Sequence, residues 1–136
     1  MLFSASVQES MDLALVAHSA SLTSRIPFLH IFDGFRTSHE LQKISVLPDD
    51  VISELIDDTA VEQFRERSMS PDRPTMRGTA QNPDVFFQAR ASVNPYYERA
   101  TEQNQAAMDK LATLTGRSYH IVDYVGHPEA ERVVVL

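Results

Sequence analysis

Apolar residues recur at helical spacing almost from the start of the chain. Val7, Met11, Ala14, Leu15 and Leu22, with His18 among them, share one side of a helix over residues 6–24. Ser6 followed three residues later by Glu9 has the form of a capping box, and the helix is expected to stop near Ser24 and Arg25. The run 27–33 is short and largely apolar, suited to a buried strand, and Gly34 breaks it. A helix followed by such a strand is the rhythm of an α/β domain with a parallel sheet.

Pro48 suits the first position of another helix, with Asp49 and Asp50 near its positive end and Val51, Ile52, Leu55 and Ile56 on its apolar face. A helical stretch at 59–68 carries Val61 and Phe64 among charged residues. Periodicity then disappears over residues 70–84, where Pro71, Pro74, Gly78 and Pro83 punctuate a loop of about fifteen residues. Loops of that length are functional or lie across a neighbouring surface. A short helix is expected at 85–92 and a longer one at 95–115. Tyr97, Ala100, Asn104, Ala107, Met108, Leu111 and Leu114 form the face of the longer one, and Gly116 is its stop.

Residues 119–125 and 132–136 read as strands, the second a buried β-branched one, with a turn at Gly126 to Pro128 between them. A buried strand normally leads into a turn and a covering helix, so a chain stopping on Val135 and Leu136 reads as cut. So does a start that places a helix cap within six residues of Met1 with nothing before it. The alternative is a small domain whose last strand pairs at a sheet edge.

Composition narrows the classes. The 136 residues are enough for one ordinary domain, and 43% apolar with 23% charged residues is the balance of a soluble globular protein. A net charge of −7, with 12 scattered basic residues, argues against a nucleic-acid binder. The absence of cysteine excludes a disulfide framework and any Cys-ligated zinc or iron–sulfur site on this stretch. No apolar run approaches the roughly 20 residues of a membrane span, and the first residues lack the pattern of a signal peptide. The chain reads as cytoplasmic, with no membrane partner.

Candidate chemistry is sparse. Asp33 lies at the end of a predicted parallel strand, where α/β folds place ligands, and Arg36, Thr37, Ser38, His39 and Glu40 follow it. One reading is an anion or substrate contact. The other is an ordinary turn, with an Arg36–Glu40 surface pair, Thr37 or Ser38 capping a helix, and a solvated His39. His18 reads as a core or boundary histidine, and Tyr96, Tyr97 and Tyr119 as packing residues. No metal-binding His pair, nucleophile elbow or phosphate-cradling glycine loop is present. No catalytic set emerges.

Several ordered stretches nevertheless resemble one family. They are residues 6–18, Pro27-Phe-Leu-His-Ile-Phe-Asp-Gly-Phe-Arg-Thr-Ser-His-Glu40, Arg77-Gly-Thr-Ala-Gln-Asn-Pro-Asp84 with Phe87 and Gln88, Asn94-Pro-Tyr-Tyr97, Leu114-Thr-Gly-Arg117 and Glu129-Ala-Glu-Arg132. Together they resemble the large single-chain pyruvate:ferredoxin (flavodoxin) oxidoreductases over essentially the whole chain. Two departures are a polar, proline-free stretch at 98–107 and His127 where the family has a small residue.

The resemblance implies an α/β fragment: an incomplete parallel sheet like that of a thiamine pyrimidine-binding domain, with helices, a long irregular connection and the start of a second α/β domain. Its implied divisions are residues 1–69, the C-terminal part of the family's N-terminal domain; 70–117, an extended connection and helix; and 118–136, the beginning of the next domain. Such enzymes use thiamine diphosphate, magnesium, iron–sulfur clusters and coenzyme A to convert pyruvate to acetyl-CoA and carbon dioxide, passing electrons to ferredoxin or flavodoxin. None of the family's catalytic, cofactor-binding or metal-binding motifs has a matching position here, so no such residue is carried over. The expectation is a portion inactive by itself, partnered by the rest of the oxidoreductase in cis or in trans, with homo-oligomerisation open. Two other readings are a free-standing interaction or assembly module derived from that enzyme, and a complete small enzyme using Asp33 and His39.

Overall fold

A computed structural model describes residues 1–76 and 80–135. Arg77, Gly78, Thr79 and Leu136 lie outside the described residues, and with them the expected turn at Gly78, the start of the Arg77 motif and the last position of the 132–136 strand.

The chain opens with a parallel βαβ unit. Strand β1 (Leu2–Ser4) leads into helix α1 (Val7–Ser24) and returns as strand β2 (His30–Phe32). Leu2 pairs with His30, Phe3 with Ile31 and Ser4 with Phe32. Parallel neighbours need a crossover between them, and α1 supplies it. The expected α/β class with a parallel sheet is therefore present.

The hydroxyl of Ser6 accepts the Glu9 N–H at 3.2 Å, and the Glu9 carboxylate accepts the Ala5 N–H at 2.7 Å. The capping box thus closes one residue earlier than its standard form. At the other end Arg25 takes the left-handed conformation (φ 62°) and donates its N–H to the carbonyl of Ser21. Glycine normally fills that position, so an arginine there carries a steric cost.

A one-turn helix α2 (Arg36–His39) is followed by α3 (Asp49–Leu55), α4 (Asp58–Arg67), α5 (Pro83–Ala91) and α6 (Asn94–Thr115). Asp57 caps α4 through the Thr59 N–H at 2.9 Å, and Gly116 ends α6 at φ 75°. Pro48 is the N-cap of α3 rather than its first residue.

The core forms where α1 lies against α6, with α3 filling the third side. Leu13, Val16, Ala17 and Ala20 of α1 meet Ala107, Met108 and Leu111 of α6, and Leu2, Leu47, Val51 and Leu55 complete the cluster. Ser19 Oγ donates to the carbonyl of Leu55 at 3.1 Å, which ties the end of α3 to α1. Burying each large aliphatic side chain contributes roughly 1.5–3 kcal/mol.

Four expectations need correction. The residues named for the inward face of α1 do not reach the core centre. Met11, Leu15 and Leu22 are half-buried and His18 is exposed, while the small residues Ala17, Ala20 and Ser24 are buried. Small side chains fill this part of the closely packed interior, which a ranking by hydrophobicity does not see. The chain before Ser6 is a strand, too short at three residues to show an alternating pattern.

Residues 119–125 form no strand. The amide of Gln105 on α6 takes up their backbone instead, donating to the carbonyl of Tyr119 at 3.2 Å and accepting the Ile121 N–H at 3.0 Å. Residues 132–135 form no strand either, since the sheet is two-stranded and neither strand pairs with them; Val134 is 84% exposed.

The exposed surface is 10748 Å² for a 15.3 kDa chain. Compact monomers of that mass expose about 7,100 Å² by the usual scaling. Among the described residues, α5 buries none of its side chains, and no helix is long and apolar enough to cross a membrane.

Candidate functional site

The segment after β2 is built around Asp33. Its carboxylate accepts the N–H of Phe35 at 2.8 Å and of Arg36 at 3.1 Å. Those backbone bonds, Phe35 first, hold Asp33 below the usual carboxylate range, and the neighbouring Arg36 charge adds to them. The group that receives the free N–H groups at the start of α2 is therefore Asp33, where Thr37 or Ser38 was the expected cap.

Phe35 is 81% exposed and stacks on His39 with ring centroids 5.8 Å apart. The His39 Nδ1 shares a hydrogen bond with Ser38 Oγ at 2.7 Å. Arg36 and Glu40 form no ion pair; Glu40 instead donates its backbone N–H to the carbonyl of Arg36 at 2.9 Å. The geometry describes a self-contained turn on the surface. Behind it, Ser4 Oγ and His30 Nε2 share a 2.6 Å hydrogen bond across the two strands, and burial lowers the His30 pKa.

A second constellation is not visible in the sequence. Asp12 is fully buried on α1, and Arg117, just past the end of α6, grips it from Nε at 2.6 Å and Nη2 at 3.0 Å. Tyr119 donates its hydroxyl to the same carboxylate at 2.7 Å, and Gln8 Nε2 approaches it at 3.2 Å. The Gln8 amide also receives the Ser45 N–H at 2.7 Å and donates to the Ser45 carbonyl at 3.1 Å. The hydrogen bond to Asp12 raises the Arg117 pKa. Burial, then the bond to Asp12, holds the Tyr119 phenol above its ordinary value. A lone carboxylate beside Leu13, Val16 and Ala20 was the available signal. Its partner 105 residues away was not legible.

Surface clefts surround the chain segment after α1. One of about 460 Å³ is bounded by His18, Leu22, Arg25, Phe64 and Arg67. A second of about 300 Å³ meets it at Arg25 and Pro27 and reaches Arg90, Val93, Tyr96 and Tyr97. Three further clefts touch His30, Asn104 and Tyr119, and none of the five is lined by Asp33, Arg36 or His39. Tyr97, expected to pack, is half-exposed in the second cleft.

A magnesium-bound diphosphate needs hard oxygen donors converging on the metal. Among the described residues no three His, Asp or Glu side chains gather in that way. The described residues offer no such donor set, and no chemical step is derived through the group.

Comparison with known proteins supplies what the local geometry does not. Residues 1–109 match the family model described as "Pyruvate flavodoxin/ferredoxin oxidoreductase, thiamine diP-bdg". The chain is 60% identical over 136 residues to a pyruvate-flavodoxin oxidoreductase of Rhodospirillum rubrum, covering 100% of this chain and 11% of that protein. It is 56% identical over 135 residues to the pyruvate:ferredoxin oxidoreductase of Moorella thermoacetica, covering 99% and 12%. A pyruvate dehydrogenase [NADP(+)] of Cryptosporidium parvum is 49% identical over 130 residues, or 96% of this chain and 7% of that protein. The chain thus spans about a ninth of the length of the first two relatives. With a parallel βαβ unit in place and the match running through most of α6, the chain belongs to the pyruvate flavodoxin/ferredoxin oxidoreductase family, within its thiamine diphosphate-binding region.

Proposed function

We propose that this chain is a structural portion of an oxidoreductase that converts pyruvate and coenzyme A to acetyl-CoA and carbon dioxide, with electrons passed to ferredoxin or flavodoxin. The observation that carries the reading is identity of 60% across the whole chain to a pyruvate-flavodoxin oxidoreductase of which it makes up 11%. The surface excess supports it, together with exposed large apolar side chains such as Phe35, Val125 and Val134, which a neighbouring surface normally covers. Its partner is the rest of the oxidoreductase, in cis or in trans, and its location is the cytoplasm.

In this reading the βαβ unit and α3 are scaffold. Thiamine diphosphate, magnesium, iron–sulfur clusters and coenzyme A are held by the remainder, and the chain alone is inactive. Its divisions are residues 1–69, 70–117 and 118–136, although α6 packs on α1 across the first of these boundaries. Two measurements test the reading. Calorimetric titration of the chain with thiamine diphosphate and magnesium is expected to show no micromolar site. Mixing the chain with a polypeptide carrying the remainder is expected to give pyruvate- and coenzyme A-dependent reduction of ferredoxin or flavodoxin. A tight cofactor site, or mixing without activity, would count against it.

A second reading, a free-standing assembly module derived from the enzyme, draws on the closed interior at α1, α3 and α6, where Val16, Ala20 and Leu111 are fully buried. Flanking DNA separates the two, because adjacent frames encoding the remainder mark a split enzyme.

A further inference from the structure

The two clefts that meet at Arg25 are chemically one-sided. Arg25, Arg67, Arg90 and His18 line them, and among the described residues no Asp or Glu does. This occurs in a chain of 19 acidic and 12 basic residues, where an average surface would place carboxylates beside these arginines. Among the described residues none of the three arginines has a carboxylate partner; the ion pairs formed are Lys110–Glu54, Arg117–Asp12 and His120–Asp123.

Arg25, the cation common to both clefts, is also held in place. Arg25 sits at φ 62°, the one non-glycine residue with positive φ among those described. From there its Nη1 donates to the Tyr96 hydroxyl at 3.3 Å, with the guanidinium 5.6 Å from the Tyr96 ring centroid. Arg99 lies 5.4 Å from the same centroid. Cation–π contacts of this kind orient a guanidinium and leave its remaining N–H groups free for a fork-shaped acceptor. Phe64, 56% exposed, and Tyr97, 52% exposed, supply apolar walls on either side.

Free guanidinium groups beside exposed aromatic rings fit a ligand with both carboxylates and apolar side chains. Bidentate carboxylate pairs and a seated apolar anchor are the elements that carry protein–protein affinity. Two adjoining clefts run from α4 to the junction of α5 and α6, a span that suits a polypeptide segment better than a single small anion. Most of the length of the relatives lies outside this chain, which leaves ample polypeptide to supply one.

We propose that the Arg25–Arg67–Arg90 clefts are the docking site for an acidic segment of the remaining oxidoreductase polypeptide, with carboxylates flanking an aromatic or long aliphatic residue. The inference rests on the reading that the chain works with that remainder. The test is an array of overlapping peptides, each about fifteen residues long, covering the whole Rhodospirillum rubrum relative and probed with the fluorescently labelled chain. Retained peptides are expected to be net acidic and to contain an aromatic or aliphatic residue. Retention should weaken as salt rises, and drop roughly tenfold or more for Arg67→Glu. Arg90→Glu on α5, which buries no side chain, repeats the measurement should Arg67→Glu unfold the protein. Arg132→Glu, outside both clefts, should leave retention unchanged.

Retention of neutral or basic peptides, no retention, equal retention of acidic peptides lacking apolar residues, or indifference to both cleft substitutions would overturn the proposal. Successful reconstitution of activity by mixing, combined with no acidic peptide retained, would reject the docking site and leave the family reading standing. Acidic peptides retained through the cleft, with no activity on mixing, would support the docking site and count against the enzyme reading alone.

Discussion

Arg117 donates two hydrogen bonds to the fully buried carboxylate of Asp12, fastening the chain after α6 to the middle of α1 across 105 residues of sequence. The pair is bidentate, with Tyr119 on a third side. Removing Arg117 leaves the buried Asp12 charge with only the Tyr119 and Gln8 hydrogen bonds. Arg117→Ala is therefore expected to lower unfolding free energy by about 3–5 kcal/mol in urea titration. Replacing both residues by apolar ones of similar size should cost much less. Equal losses for the single and double variants would reject this account.

Tyr119 adds a pH dependence at the alkaline end. Its phenol is held above the ordinary value by burial and by the bond to Asp12, so the fold favours the protonated form. The stabilisation is complete below the unfolded-state value of about 10 and is lost as pH rises beyond it. Melting temperature should therefore fall more steeply above about pH 10 in the native chain than in Tyr119→Phe. The two curves running parallel would show that the phenol does not couple to folding.

His30 gives the opposite sign near neutrality. Burial lowers its pKa, so the folded state prefers the neutral ring bonded to Ser4. That contribution is present above about pH 6.5 and is lost as pH falls through the folded-state value. Thermal melts between neutral and mildly acidic pH should show a decline that His30→Gln reduces.

The Asp33 turn makes a milder prediction. Asp33→Ala removes both acceptors for the Phe35 and Arg36 N–H groups and should loosen α2. Apart from the buried Thr37 the segment is exposed, so its amides should exchange faster with little change in global melting, well below the effect of Arg117→Ala. Loss of the whole fold would show that the turn organises more than itself.

Leu111→Ala tests the packing of α6 on α1. Leu111 is fully buried between them, and truncation should cost about 2–5 kcal/mol by transfer and cavity terms. The native chain itself, with its large exposed surface and an unpaired edge on β1, is expected to associate at micromolar concentration. Light scattering giving a monomeric mass beside a sharp thermal transition would contradict that expectation and favour the free-standing module.

The helices were the most legible part. Ser6 and Glu9 announced the start of α1, and Gly116 the end of α6, because caps act through hydrogen bonds within a turn. The inward face of α6 at Asn104, Ala107, Met108 and Leu111 was readable from its helical periodicity. The inward face of α1 was not. That helix carries apolar residues on several sides, and tertiary packing buried Ala17 and Ala20 more completely than Leu22.

The amino-acid sequence by itself determined the extents of the main helices, the breaks between them and membership of a family whose ordered motifs run along the whole chain. Those properties depend on neighbours a few residues apart, or on strings of identity. Tertiary structure decided which apolar runs became strands, since a strand exists only when a partner offers its backbone. Leu2–Ser4 found one in His30–Phe32, whereas Tyr119 and Ile121 found the side chain of Gln105. It also decided that Asp12 is a buried anchor for Arg117, and that Arg25, Arg67 and Arg90 line two adjoining clefts with no carboxylate among the described lining residues. Charges distant in sequence acquire energies only when folding sets their separation and removes the water between them.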